Sequence, residues 1–221
     1  MRRVVLMAVG LSLITSAALA QSNQVLSRNA VGYVKVDALS NKLVLARMDF
    51  ENLSGSSWTV TNLLGSQLPV GSIVTIWDRV NYRYVGEART RSGWSPGTNV
   101  IRRGDAFFVR SLAATNMYFM GEVPDSISAP DTVFPNVTGL SALGYPYPVS
   151  QPWTNIALST NGAIGDILTI WDAVNQQYIG YARTRSGWGA ATNLVLQPGQ
   201  AFWYRSAVTQ TWTVVKPYTW P

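Results

Sequence analysis

Apolar and polar residues alternate along this chain in short runs closed by turn residues. A two-residue period belongs to strands, whose successive side chains point to opposite faces. Ile73–Trp77 is β-branched and aromatic, Asp78-Arg79-Val80-Asn81 is turn-like, and Tyr82–Arg91 resumes an extended pattern that Ser92-Gly93 breaks. Ala106–Ser111 and Met117–Gly121 follow as predicted strands, rich in residues that suit a pleated, half-buried surface. Strands this short, punctuated by Gly, Asn and Pro, predict an all-β fold in antiparallel meanders.

The pattern is written twice. Ile73–Asn99 and Ile167–Asn193 align without a gap and are identical at 18 of 27 positions. Gly104–Ser111 answers Gly199–Ser206, Gly32-Tyr33 is echoed by Gly144-Tyr145, and Trp58-Thr59 by Trp153-Thr154. On that alignment the first copy carries an added stretch, Val36–Leu53. Self-similar units are structural units. The chain therefore divides into a leader (1–20), a first module (21–126), a Pro-containing linker (127–135) and a second module (136–221). Two homologous antiparallel β-meander modules are expected, each a small barrel or sandwich. They stand as separate lobes or merge into one pseudo-symmetric unit.

Composition adds a compartment. Arg2 and Arg3, the apolar run Val4–Ile14 and Ala18-Leu19-Ala20 have the layout of a cleavable secretory signal, with Gln21 as the expected mature start. The apolar run is too short to span about 30 Å of hydrocarbon. No later segment is long and apolar enough for a membrane helix, so a periplasmic, cell-surface or extracellular protein is expected. There is no cysteine, so packing must hold the fold, and nine Trp, ten Tyr and six Phe supply the area. Loss of Arg2 and Arg3 lowers the formal charge of +6 by two. That mild basicity has no basic run and no nucleic-acid motif behind it; it fits solubility, or weak attraction to anionic glycans or envelope surfaces.

Absence narrows the chemistry. With no His and no Cys the chain cannot build a Ser-His-Asp triad, a thiol nucleophile or the usual zinc and copper sites. No catalytic residue, cofactor or metal is expected. Paired carboxylates can hydrolyse glycans unaided, but Asp78 and Asp172 are the only matched acids, each at a hairpin start where Asp caps a turn or pairs with an arginine such as Arg89. The candidate contact residues lie in a doubled hexapeptide: Arg89, Arg91 and Trp94 in the first copy, Arg183, Arg185 and Trp188 in the second. Indole faces stack on sugar rings, and guanidinium forks clamp anionic groups. The same residues serve equally as packing, with Trp94 plugging one end of a module.

A strand ending Trp-Asp, then Tyr, Gly-Trp and Pro-Gly-x-Ala-Phe-Trp before a last strand resembles a class of exported bacterial tandem β-repeat proteins. Ile167–Ser206 carries it, as does Ile73–Ser111 with Arg103-Gly104-Asp105 in place of Pro198-Gly199-Gln200. The resemblance implies envelope or extracellular placement and assigns no activity, because the class has no settled biochemical role. The expected function is a non-enzymatic structural or adhesive role with two duplicated contact surfaces. Its expected partners are glycans, envelope or matrix proteins, or further copies of itself. A carbohydrate-binding module is the alternative, with exposed Trp94 and Trp188 as its mark; a carboxylate-dependent glycan hydrolase and a small outer-membrane barrel stand further off.

Overall fold

The protein is described by a computed structural model covering residues 30–54, 57–79, 81–124 and 132–218. The leader and residues 125–131 of the linker region lie outside the described residues. The first repeat runs β1 (Val31–Ala38), β2 (Leu43–Arg47), β3 (Trp58–Thr59), α1 (Val60–Leu64), β4 (Ile73–Asp78), β5 (Arg83–Thr90), β6 (Gly93–Ser95), β7 (Val100–Ile101), β8 (Ala106–Arg110) and β9 (Thr115–Glu122). The second runs β10 (Thr132–Gly144), β11 (Gln151–Pro152), α2 (Ala157–Thr160), β12 (Ile167–Asp172), β13 (Gln177–Ala182), β14 (Val195–Leu196) and β15 (Ala201–Val214). The fold is all-β and antiparallel, and none of the sheets closes into a barrel. No described helix is long and apolar enough to cross a membrane.

Alternation does what it predicts. In β9, Met117 and Phe119 are buried while Tyr118 and Met120 face out. The β4–β5 and β12–β13 hairpins pair in the same register, Trp77 opposite Tyr84 and Trp171 opposite Tyr178. At their tips Tyr82 and Gln176 take positive φ, 49° and 56°, as tight hairpin turns require. In the first repeat the sheet order is β2-β8-β4-β5-β6, with β1-β9 as a separate ribbon. In the second it is β10-β15-β12-β13, and the ribbon is fused into the sheet because β10 and β15 run on through register shifts.

Register also corrects the alignment. Leu43–Arg47 lies against Ala106–Arg110 as Leu140–Gly144 lies against Ala201–Arg205. The stretch Val36–Leu53 is therefore no insertion: it holds β2, the counterpart of the second half of β10. Likewise Trp58 opposes Ile101 where Gln151 opposes Leu196, so the structural partner of Trp58 is Gln151 and not Trp153. Thr132–Pro135, placed in the linker by sequence, are the first residues of β10.

Three apolar clusters hold the chain. Val34, Phe50, Val74, Trp94, Phe107 and Phe119 centre the first repeat; Phe134, Trp153, Leu168, Trp188, Phe202 and Trp212 centre the second. A third cluster joins them, with Leu45, Ala106 and Phe108 from one repeat meeting Ala142, Ala201 and Trp203 from the other. This junction repeats itself about a pseudo-twofold. Trp77 meets the Trp203 ring at 5.3 Å and donates its indole N–H to the Leu140 carbonyl at 3.3 Å. Trp171 meets Phe108 at 5.5 Å and donates to the Leu43 carbonyl at 2.8 Å. The repeats are packed together, not strung as free lobes.

Backbone crosses the junction twice as well. The Arg47 amide donates to the Gly199 carbonyl at 3.1 Å, and the Gly144 amide to the Gly104 carbonyl at 2.8 Å. Gly104 and Gly199 have φ of 81° and 77°, where L side chains are strained. A Cβ at Gly104 would lie 2.5 Å from the Phe134 ring, and one at Gly199 2.7 Å from Val34, so each glycine lets the opposite repeat approach.

Candidate functional site

The doubled hexapeptide forms a turn in both repeats. Thr90 donates its hydroxyl to the Gly93 carbonyl at 2.8 Å and shares a hydrogen bond with Ser92; Thr184 donates to Gly187 at 3.0 Å and shares one with Ser186. Gly93 and Gly187 supply the positive φ that closes the turn. Trp94 and Trp188 are 7 % and 4 % exposed, and their indole N–H groups donate to the Gly65 and Ser159 carbonyls, both at 2.9 Å. They fill the cores and offer no exposed stacking platform. Arg183 lies 5.8 Å from the Trp188 ring and donates to the Ser159 carbonyl at 2.9 Å, while Arg89 donates to the Thr90 carbonyl at 3.2 Å. Arg91 and Arg185 remain exposed. Of the six candidate residues, two indoles and two guanidiniums are engaged within the fold, and the remaining pair faces solvent at matched places.

The matched acids cap turns. Asp78 accepts from the Asn81 amide at 3.2 Å and its side chain at 2.7 Å, and pairs with Arg83 at 3.7 Å, where sequence had suggested Arg89. Asp172 accepts from the backbone of Val174 and Asn175 and from the Asn175 side chain at 2.7 Å. The Asn175 amide, first among these bonds, holds the Asp172 carboxyl below the usual range. Asp78 also borders a recess of about 260 Å³ together with Asp105, whose carboxyl burial pushes upward. Asp105 accepts from the Arg102 amide at 2.8 Å, and in the second repeat Gln200 accepts from the Gln197 amide at 3.0 Å. A neutral amide does the same work there, so the place requires an acceptor and not an acid. Among the described residues no cluster of three potential metal ligands occurs.

Two features escaped the sequence. One is a pair of phenols at the pseudo-dyad. Tyr84 and Tyr178 are both half exposed; burial first, and then the neighbouring Tyr178 phenol, push the Tyr84 hydroxyl up to about 12. With Leu140, Thr169 and Trp203 they line a cavity of about 320 Å³ between the repeats. The Trp203 indole N–H is buried there with no hydrogen-bond partner among the described residues. Its counterpart Phe108 has no such donor, so the two sides of the dyad differ chemically.

The other is a buried ion pair. Arg47 and Asp49 are both fully buried and pair at 2.5 Å. Arg47 donates to the Tyr147 carbonyl at 3.2 Å, and Asp49 accepts from the Gly199 amide at 2.7 Å, so the pair spans the repeats. Burial, only partly offset by Arg47 and the Gly199 amide, holds the Asp49 carboxyl at about 6; burial likewise lowers Arg47. Nothing in the apolar run around Arg47 marks it as buried, because burial comes from the opposite repeat. No family model, curated protein or solved structure matches the chain.

Proposed function

We propose that the protein is an exported, non-enzymatic structural or adhesive component of the cell envelope or extracellular matrix, of the tandem β-repeat kind that its sequence resembles. One observation carries this reading. What the two copies kept goes into turns, cores and the junction, while Arg91 and Arg185 project from equivalent turns. Two equal cationic contacts on a packed body suit a multivalent partner such as an anionic glycan or envelope surface, because the second contact is intramolecular. Exposed arginines act through screened, long-range attraction, so binding is expected to weaken with salt. The test is co-sedimentation of the mature chain with purified envelopes. Replacing Arg91 and Arg185 together by glutamate should release it with Tm unchanged; undiminished pelleting would overturn the assignment.

The inter-repeat cavity favours a second reading, a carbohydrate-binding module. Half-exposed Tyr84 and Tyr178, Leu140, Thr169 and Trp203 combine apolar faces with a few hydroxyls, the make-up of ligand sites. A glycan array separates the two readings: a neutral oligosaccharide bound in a way that Tyr178→Ala abolishes and R91E/R185E spares would favour the module.

A further inference from the structure

The sheet of the second repeat ends in a strand whose outer side no described strand covers. β13 is last in the order β10-β15-β12-β13, and among the described residues no strand pairs with its outer side. The Arg183 amide donates inward to the Asp166 carbonyl at 2.8 Å. Antiparallel pairing alternates, so Tyr181, Ile179 and Gln177 also bond inward, and the amides and carbonyls of Tyr178, Gly180 and Ala182 point outward. Gln177–Ala182 has no charge, no proline and no bulge. Tyr178 is 53 % and Ile179 38 % exposed.

Other edges of the two larger sheets are protected at least in part, in ways proteins commonly use. β10 is broken by two register shifts. β2 is covered at its start by Gln176, which accepts from the Leu43 amide at 2.9 Å, and at its end by the Gly199 carbonyl. The matching strand in the first repeat, β5, is capped by β6 over Ala88–Thr90 alone, and among the described residues Arg83–Glu87 has no outer partner strand. There Glu87 is turned to the Asn99 amide at 2.7 Å. The segment that would cap β13 makes only the bridge Thr184–Gly187 before turning into the 3-10 helix Gly189–Asn193. The second repeat thus lacks that cap and presents an uncharged edge.

We propose that β13 joins β13 of a second copy, antiparallel about a dyad at Gly180, making one sheet across a homodimer. Main-chain groups in extended array are satisfied by another strand, the mode of β-augmentation. A twofold pairing centred on Gly180 sets Tyr178 over the partner's Ala182, a large ring beside a small residue. It also sets Ile179 beside the partner's Tyr181, an aromatic–β-branched cross-strand pair of the favourable type. Gly180 meets itself on the axis, where neither copy carries a side chain. The contact is isologous and closes at two copies. Facing like residues supply up to about six main-chain hydrogen bonds. This inference stands apart from the envelope-contact reading, since it uses neither Arg91 nor Arg185.

Sedimentation velocity of the mature chain over a wide concentration range tests it. Mass should rise from monomer to dimer and no further. Gly180→Pro removes the two central donors and should weaken association by about tenfold. Ala182→Lys should do the same without touching the backbone, and Gly86→Pro on the β5 edge should leave association as it was. The chain has no cysteine, so Gly180→Cys should oxidise to a covalent dimer while Gly86→Cys stays monomeric. A monomer throughout the range, a dimer indifferent to both G180P and A182K, or cross-linking through G86C would each overturn the proposal. A monomer whose Tyr178, Gly180 and Ala182 amides resist hydrogen exchange would overturn it too, by placing the chain's own residues on the edge. Envelope binding by an A182K monomer would leave the functional reading standing.

Discussion

Arg47 and Asp49 show how one side chain's environment is made by another repeat. The positions that answer them are Gly144 and Pro146, and a Cβ at Gly144 would lie 2.6 Å from Arg47 Cβ. A large cation on one side of the pseudo-dyad is accommodated by a missing side chain on the other. Removing Asp49 leaves Arg47 buried and unpaired, so Asp49→Ala should cost about 3–5 kcal/mol in urea unfolding. The sign of the pH effect follows from burial. Asp49 holds its proton more tightly when folded, at about 6, than an ordinary aspartate does at 3.8. The native state therefore binds more protons between those values, and stability from this group falls as pH rises through that window. Wild type minus Asp49→Asn, measured by urea midpoints at pH 4 and pH 7, should show that decline. An equal slope in both proteins would assign the pH dependence to other groups.

Strand by strand, what could be foreseen was what depends on local pattern. The hairpins β4–β5 and β12–β13 were legible because alternation and an Asp-to-Asn turn are properties of contiguous residues. β2 was not. Leu43–Arg47 and Leu140–Gly144 share only their first residue; one ends in the buried cation Arg47 and the other in the glycine that makes room for it. Their equivalence lies in register, which sequence similarity does not record. The hexapeptide left two readings open by sequence, contact or packing, and its Thr, Ser, Gly and Trp form a turn and a core anchor while Arg91 and Arg185 stay exposed. Trp94→Ala and Trp188→Ala should each cost about 3–5 kcal/mol, the penalty for an emptied core site. If either indole served mainly a ligand, its loss would leave Tm near wild type. Gly199→Ala asks for positive φ and a Cβ 2.7 Å from Val34 at once, and should lower stability by about 1–3 kcal/mol.

For the molecule as a whole, the question is whether two modules fold as two. Trp77 and Trp171 have like surroundings, each against the tyrosine of its own hairpin (4.9 and 4.7 Å) and an aromatic ring from the opposite repeat. Each indole donor ends on a carbonyl of the other repeat, so separating the repeats breaks two hydrogen bonds and bares Phe108 and Trp203 together. That cost falls on both halves. Unfolding one repeat removes a wall of the other's junction, and the ion pair loses its Gly199 and Tyr147 partners in the same event. The transition should therefore be one cooperative step, with calorimetric and van't Hoff enthalpies in agreement. Trp171→Ala, though it sits in the second repeat, should destabilise the first as well. Probes confined to the first core should then shift by the same amount as those in the second, by about 3 kcal/mol. Two resolved transitions in wild type, or a Trp171→Ala shift confined to second-repeat probes, would mean that the mirrored junction adds contact without coupling.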